Sequence, residues 1–217
     1  PPDGQPGTMR MFIFTSTNPQ RDGAMENAVV LHEMTHGLSS RLTGGSANAN
    51  CLSSIIAGGL GEGWSDFVAT TLQGQASDTF ITSQVVGDYV SGNPGGVRTH
   101  PYSTDLTVNP LTYASLNDPG ALEVHRIGEV WNSMLYEVYR NMVQKLGFTP
   151  EYKDATSGKG NTQALLTVIN GIKMQPCNPN FVSARDAIIA ADKALTGGKN
   201  RCDIVKGFSK RGLGPNA

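Results

Sequence analysis

Long apolar runs are missing from this chain. Those present, such as Phe12-Ile13-Phe14 and residues 28–31, fall far short of the roughly 20 residues that span a bilayer, so no membrane helix is expected. An excess of one charge is missing too. Seventeen Lys and Arg stand against 18 Asp and Glu, a formal net charge of -1, which leaves no strong field to attract nucleic acid or an anionic membrane. Pro1-Pro2-Asp3-Gly4 carries neither the basic nor the apolar region of a signal peptide, so any such leader was removed or never belonged to this segment. Neither an internal repeat nor a linker between domains is visible. Cysteine is scarce: three residues are too few for a disulfide-built scaffold, and the odd count leaves one over. Cys177 and Cys202, 25 positions apart, flank a predicted helix and are the plausible pair. Closing that loop would stabilise the fold by roughly 3 kcal/mol, and Cys51 would stay free and buried. Three reduced thiols of a cytosolic protein are the plainer alternative. Only four histidines occur, and two of them, His32 and His36, lie four positions apart.

What is present suits one globular domain: 217 residues, 38% hydrophobic and 16% charged, enough to bury a sizeable core. After a Pro/Gly-rich loop over residues 1–8, the apolar stretch 9–15 reads as a strand. Asp22 is placed to cap a helix over about 24–42, which Gly44-Gly45 stops. A second helical segment is bracketed by Gly58-Gly59 and Gly74. Residues 92–120, rich in Gly, Pro, Asn, Ser and Thr, hold Arg98, His100, Tyr102 and Tyr113; so long an irregular stretch in a compact domain is often functional. An amphipathic helix follows over about 121–146, and further helices near 162–174, 180–196 and 201–211 close the chain.

The chemistry concentrates in His32-Glu33-Met34-Thr35-His36, an H-E-x-x-H string inside the first predicted helix. At 100° per residue, positions i and i+4 share one face, so both imidazoles can reach one zinc ion at about 2.0–2.1 Å. Glu33 is then placed to act on a zinc-activated water as general base. Two surface histidines on a helix remain the bland alternative. The second helix strengthens the metal reading, because Glu62, in Gly61-Glu62-Gly63-Trp64-Ser65-Asp66, can complete a His2Glu set with a fourth position open for catalysis. The competing role for Glu62 is a solvated carboxylate that offsets the helix dipole. Asp66, one turn after Glu62, can hydrogen-bond the far ring nitrogen of a ligand histidine.

The strings HEMTHGLSSRLTGG from His32, GGLGEGWSDF from Gly58, PYS from Pro101, NPLTY from Asn109 and QPCNPNF from Gln175, with the tails 194–199 and 210–214, run across nearly the whole chain. Together they resemble the fungalysin family of secreted fungal metallopeptidases, relatives of the thermolysin-like peptidases. The resemblance implies an α+β zincin. This chain would be the mainly α-helical C-terminal part of a two-lobe catalytic domain, with a strand remnant and zinc-binding helices over residues 1–75 and a helical lobe with a substrate-binding loop over 76–217. It implies Zn2+ at His32, His36 and Glu62, Glu33 as general base and acid, secretion, a removed pro-segment that inhibits before activation, and cleavage of internal bonds in extracellular proteins before apolar side chains. His125 resembles the histidine that donates to the developing oxyanion, and Arg98 the arginine that holds the substrate carbonyl beyond the scissile bond. A core histidine and a surface arginine are the plain alternatives. Val29, one turn before His32, is a candidate for the specificity pocket, although core packing explains it equally well.

The likeness has departures. Gly61 stands where thermolysin-like enzymes have an asparagine, so the orienting partner of one histidine is unidentified. Their oxyanion tyrosine is also missing, since no Tyr occurs from His36 to Glu62; Tyr102 or Tyr113 is left as a substitute from the long loop. Their calcium sites have no obvious counterpart. His100 reads as a loop residue and not as a ligand. Gly23-Ala24-Met25-Glu26-Asn27 matches the substrate-amine motif of a family of zinc aminopeptidases, but it lies too close to His32 and reads as coincidence. A zinc aminopeptidase therefore stands as runner-up, beside a zinc-binding helical module without activity. Finally, the likeness implies an N-terminal β-rich lobe before this segment, without which only one wall of a cleft is present.

Overall fold

The computed structural model describes residues 4–45 and 47–217. Of the loop expected over 1–8 the first three residues lie outside the described residues, as does Ser46 in the polar stretch 45–50. The fold is mainly helical with one small sheet. Of the strand expected over 9–15, only β1 (Ile13–Phe14) is paired, antiparallel to β2 (Arg21–Asp22) with Ile13 opposite Asp22. A single 3-10 turn, Gly23–Met25, leads on, with the Asp22 side chain accepting from the Ala24 N–H at 2.9 Å. Helix α1 (Asn27–Leu42) then begins later than the sequence suggests, because Glu26 is extended at φ -118°, ψ 111°.

Helix α2 (Ile55–Leu72) is capped by Ser54 and starts upstream of the glycine pair expected to bracket it. Its glycines are contact points and not breaks. A Cβ on Gly59 would fall 2.3 Å from Ile127, and one on Gly63 would fall 2.7 Å from Trp131. Both partners lie on α4 (Val124–Leu146), where a Cβ added to Gly128 would in turn fall 2.6 Å from the Glu62 Cβ. Missing side chains thus let two backbones close on each other, at the usual cost of glycine in a helix. Trp64 and Trp131 meet edge to face at 5.0 Å across this seam, and both are fully buried.

Helix α4 runs through the middle of the domain, against α2, α5 (Gly160–Met174) and α7 (Arg201–Lys210), while α6 (Phe181–Thr196) packs outside α5. Its periodicity suggests one apolar face, but residues 127–142 are buried all round. Several polar side chains on the other faces are partnered, as burial favours. Glu137 receives Arg211 at 2.9 Å, and Ser133 donates to the Glu129 carbonyl at 2.7 Å. The irregular stretch is ordered by the same means: Arg211, fully buried, also donates to the Leu111 carbonyl at 3.0 Å. A four-residue helix, α3 (Asp88–Ser91), leads into that stretch, a bridge between Gln84 and Tyr102 ties it back to the residues before α3, and a 3-10 segment, Tyr113–Asn117, lies within it.

The expected bridge between Cys177 and Cys202 is not formed. Cys177 is bonded to Cys51, and Cys202 is an exposed free thiol at the start of α7. The α5–α6 loop folds onto the α1–α2 loop, where the Asn178 N–H donates to the Cys51 carbonyl at 2.8 Å, and this brings the two Cα atoms to 4.5 Å. Among the described residues no helix is long and apolar enough to cross a membrane.

Candidate metal centre

Helical spacing puts Val29, His32 and His36 along one face of α1, and α2 crosses that face with Glu62. The donor atoms converge: His32 Nε2 lies 3.1 Å from His36 Nε2 and 3.2 Å from Glu62 Oε2, and His36 Nε2 lies 3.5 Å from Glu62 Oε1. Tetrahedral ligands about 2.0–2.1 Å from one ion stand about 3.3 Å apart, so this triangle has the right size. Glu62 Oε2 is buried without a hydrogen-bond partner, and such a lone carboxylate oxygen beside two imidazole nitrogens is a costly arrangement unless a cation is shared. The donor set therefore fits a zinc-type ion, with three protein ligands and an open side toward the cleft.

Asp66 completes the support. Fully buried, it stands 2.7 Å from His32 Nδ1, which assigns the ring proton to Nδ1 and leaves Nε2 as the metal donor. Arg98 clamps the same carboxylate through Nε at 2.7 Å and Nη2 at 2.9 Å, and the Tyr102 hydroxyl donates to it as well. Burial alone would raise the Asp66 pKa, but the Arg98 charge and the His32 hydrogen bond hold it far below the usual carboxylate range. Burial likewise disfavours a charged His32, yet its interactions with the Asp66 and Glu62 carboxylates outweigh it and push that ring up to about 9. His36 goes the other way, lowered by burial and by the neighbouring ring, against the pull of Glu62. Glu62 is lowered because its contacts with His32 and His36 overcome its burial. Metal binding displaces the extra imidazole proton.

Glu33 is exposed on the cleft side of α1, beside a cavity of about 200 Å3 lined by Phe14, Val29, Val86, Val90 and Val97 with His32, Arg98 and His125 at its polar end. His125 reaches over from the first turn of α4, its Nε2 3.5 Å from Glu62 Oε2 and its side chain 53% exposed. The core-histidine alternative is thereby removed. Arg98 is no ordinary surface arginine either, since its guanidinium is anchored on Asp66 through Nε and Nη2 and stands 3.8 Å from Glu62. Neither loop tyrosine takes the place suggested for it. Tyr102 is buried with its hydroxyl on Asp66, and Tyr113 packs on Phe181 at 5.4 Å. His100 bonds only its neighbour, Thr99 Oγ1, at 3.0 Å.

Several carboxylates escaped the sequence reading. Glu123 Oε1 stands 2.6 Å from His125 Nδ1 while the same side chain caps α4, accepting from the His125 and Arg126 N–H groups. A Glu two residues before the histidine at a predicted helix start was the available signal. Glu129 accepts from the Thr99 N–H at 2.6 Å and so holds the residue next to Arg98. Glu26 accepts from Gly87 N–H at 2.7 Å and Val90 N–H at 2.9 Å. Nothing local announced these last two, whose partners lie 30 and 61 positions away or more. With each oxygen held by a backbone N–H and only 7% exposure, Glu26 is not presented to a substrate amine.

Comparison with known proteins agrees with this geometry. A family model described as fungalysin metallopeptidase (M36) matches residues 1–217. The chain is 52% identical over its whole length to the extracellular metalloproteinase MEP of Neosartorya fischeri and to the extracellular metalloproteinase mep of Aspergillus flavus, in each covering 34% of the relative. It is also 52% identical to extracellular metalloproteinase 10 of Coccidioides posadasii, covering 35% of it. The chain thus spans about a third of the length of the curated relatives it matches.

Proposed function

Because this chain belongs to the fungalysin metallopeptidase family, we propose that it is the metal-holding, cleft-forming part of a secreted zinc endopeptidase. The observation that carries the reading is the His32–His36–Glu62 donor triangle opening toward Glu33 and His125 beside an apolar cavity. These three residues hold the ion, which when bound supplies a Lewis acid that polarises a peptide carbonyl and acidifies a water molecule. Glu33 takes a proton from the attacking water and returns it to the leaving amine. His125, its Nδ1–H held by Glu123, donates from Nε2 to the oxygen on which charge develops when the ring carries its second proton. Arg98, anchored on Asp66, keeps its remaining N–H groups for a substrate carbonyl. The valine-lined cavity receives an apolar side chain next to the scissile bond.

Secretion is supported by the relatives' names and by the Cys51–Cys177 disulfide, which belongs to an oxidising compartment. The partners are a protein or peptide substrate, a pro-segment that blocks the cleft, and an N-terminal lobe of the same chain. For that lobe Phe12, Ile13 and Met25, 69%, 53% and 73% exposed, offer an apolar face. Two alternatives recede. An aminopeptidase needs a free carboxylate for the substrate amine, and Glu26 is not free. A structural zinc module normally has four protein ligands and no use for Glu33.

The test is zinc analysis together with cleavage of an internally quenched peptide blocked at both ends, using the full-length enzyme with and without chelator. One zinc per chain and chelator-sensitive cleavage are expected. Single released N-terminal residues from unblocked peptides, with blocked ones untouched, would replace the endopeptidase with the aminopeptidase. Glu33→Gln should keep the zinc and lower kcat by several orders of magnitude, whereas His36→Ala should lose the metal.

A further inference from the structure

Glu26 stands at the N-cap position of α1 but makes no side-chain cap to its own helix. Its carboxylate turns away, 7% exposed, and spends one oxygen on the Gly87 N–H and the other on the Val90 N–H. Those donors open α3, a four-residue helix too short to hold itself and without a side-chain cap of its own. Gly87, at φ 81°, makes the turn into it.

This turn is one wall of the apolar cavity. Val86 and Val90, both buried, line it, and Val97 is tied to Val86 by an N–H to carbonyl bond of 2.9 Å. The opposite wall is α1 itself, through Val29, three residues beyond Glu26. One buried carboxylate therefore joins the two walls across 61 positions of sequence. From the outer side the same turn is held by the Ser16 hydroxyl on the Val90 carbonyl at 3.1 Å and by Arg21 stacked on Tyr89 at 4.7 Å. A wall made of a loop keeps its distance only as well as its anchors do, whereas the metal end of the cavity is held separately by Asp66.

We propose that Glu26 is a positioning residue that sets the width of this pocket and hence which side chain the enzyme accepts next to the scissile bond. The proposal rests on the endopeptidase reading and adds the determinant of its selectivity. Loss of the clamp lets the α3 turn move away from α1, so a bulky apolar side chain loses contacts while the metal donors are untouched. The expected signature is a raised KM for peptides with Leu or Phe after the cleaved bond, with kcat changed much less.

The experiment compares full-length wild-type enzyme with Glu26→Gln, Glu26→Ala and, as a pocket-lining control, Val90→Ala. It measures zinc content, amide hydrogen exchange at Gly87 and Val90, and kcat and KM on peptides that differ only in Leu, Phe or Ala after the scissile bond. The expected result for both Glu26 variants is one zinc per chain, faster exchange at the two amides, and a reduced Leu-over-Ala preference carried by KM, about tenfold in Glu26→Ala. Gln, which retains one acceptor, should fall between Ala and the wild type; if the Ala variant fails to fold, Gln alone decides. A folded, zinc-loaded Glu26→Gln with wild-type preference, while Val90→Ala shifts it, would overturn the role of Glu26 and leave the pocket standing. No preference in the wild type and none lost in Val90→Ala would instead remove the pocket reading, and this proposal with it.

Discussion

His32 and Arg98 meet on a single carboxylate: Nδ1 of the histidine stands 2.7 Å from Asp66 Oδ1, and the arginine fork spans both Asp66 oxygens. The candidate metal donor on α1 and the arginine proposed to face the substrate are therefore oriented by the same buried group. Asp66→Asn is expected to weaken zinc binding by about 10–100-fold, because the amide no longer accepts strongly from Nδ1–H. Competition with a graded zinc chelator measures it. Asp66→Ala should in addition cost about 3–5 kcal/mol in stability, since the largely buried Arg98 charge loses its two-point partner and is left with only the 3.8 Å contact to Glu62. Unaltered zinc affinity in the Asn variant would detach Asp66 from the metal centre.

His125 and Glu123 form a second oriented pair. His125→Ala should keep one zinc per chain and lose about 10²–10³ in kcat, the usual loss when one donor to a developing oxyanion is removed. Glu123→Ala should show a smaller loss of kcat through misorientation of the ring. Because Glu123 also caps α4, that variant should lose about 1 kcal/mol of stability as well, read as a lowered Tm. Zinc lost to the same extent in His125→Ala as in His36→Ala would make His125 a ligand instead.

The disulfide makes a prediction that the spacing of the cysteines did not. Cys51 and Cys177 close a loop of 126 positions, for which the chain-entropy model gives about 5 kcal/mol of stabilisation. Cys51→Ser should therefore lower the denaturant midpoint strongly, and Cys202→Ser hardly at all. Iodoacetamide without reductant should label Cys202 and no other cysteine, as mass spectrometry of peptides would show.

An apolar edge at β1 and the turn before α1 leads to a prediction about the rest of the protein. With Phe12, Ile13 and Met25 largely exposed, the isolated 217-residue chain should bind zinc but cleave blocked peptides weakly or not at all, and it should bind a hydrophobic dye. Full specific activity from this purified segment, with no second fragment present, would show that the cleft needs no further lobe.

Much of the metal centre was legible in the sequence because its spacing is local. Two histidines four apart on a helix must share a face, and Glu62 and Asp66, also four apart, must share another. The longer helices were readable for the same reason, from periodicity and from breakers such as Gly197-Gly198. Glycines in α2 misled this reading. Punctuation in an isolated helix, they became contact surface once Ile127 and Trp131 arrived from α4.

What the sequence determined by itself, then, was the candidate donor set that the fold brings together, since that follows from residue type and helical pitch. Tertiary structure alone decided which cysteine met Cys177, that Arg98 would share Asp66 with His32, and where the arms of Glu26 and Glu129 would reach. Each of those contacts joins residues 30 or more positions apart. Chain periodicity carries no information at that range: such contacts arise only when helices pack to exclude water and every buried charge has to find a partner.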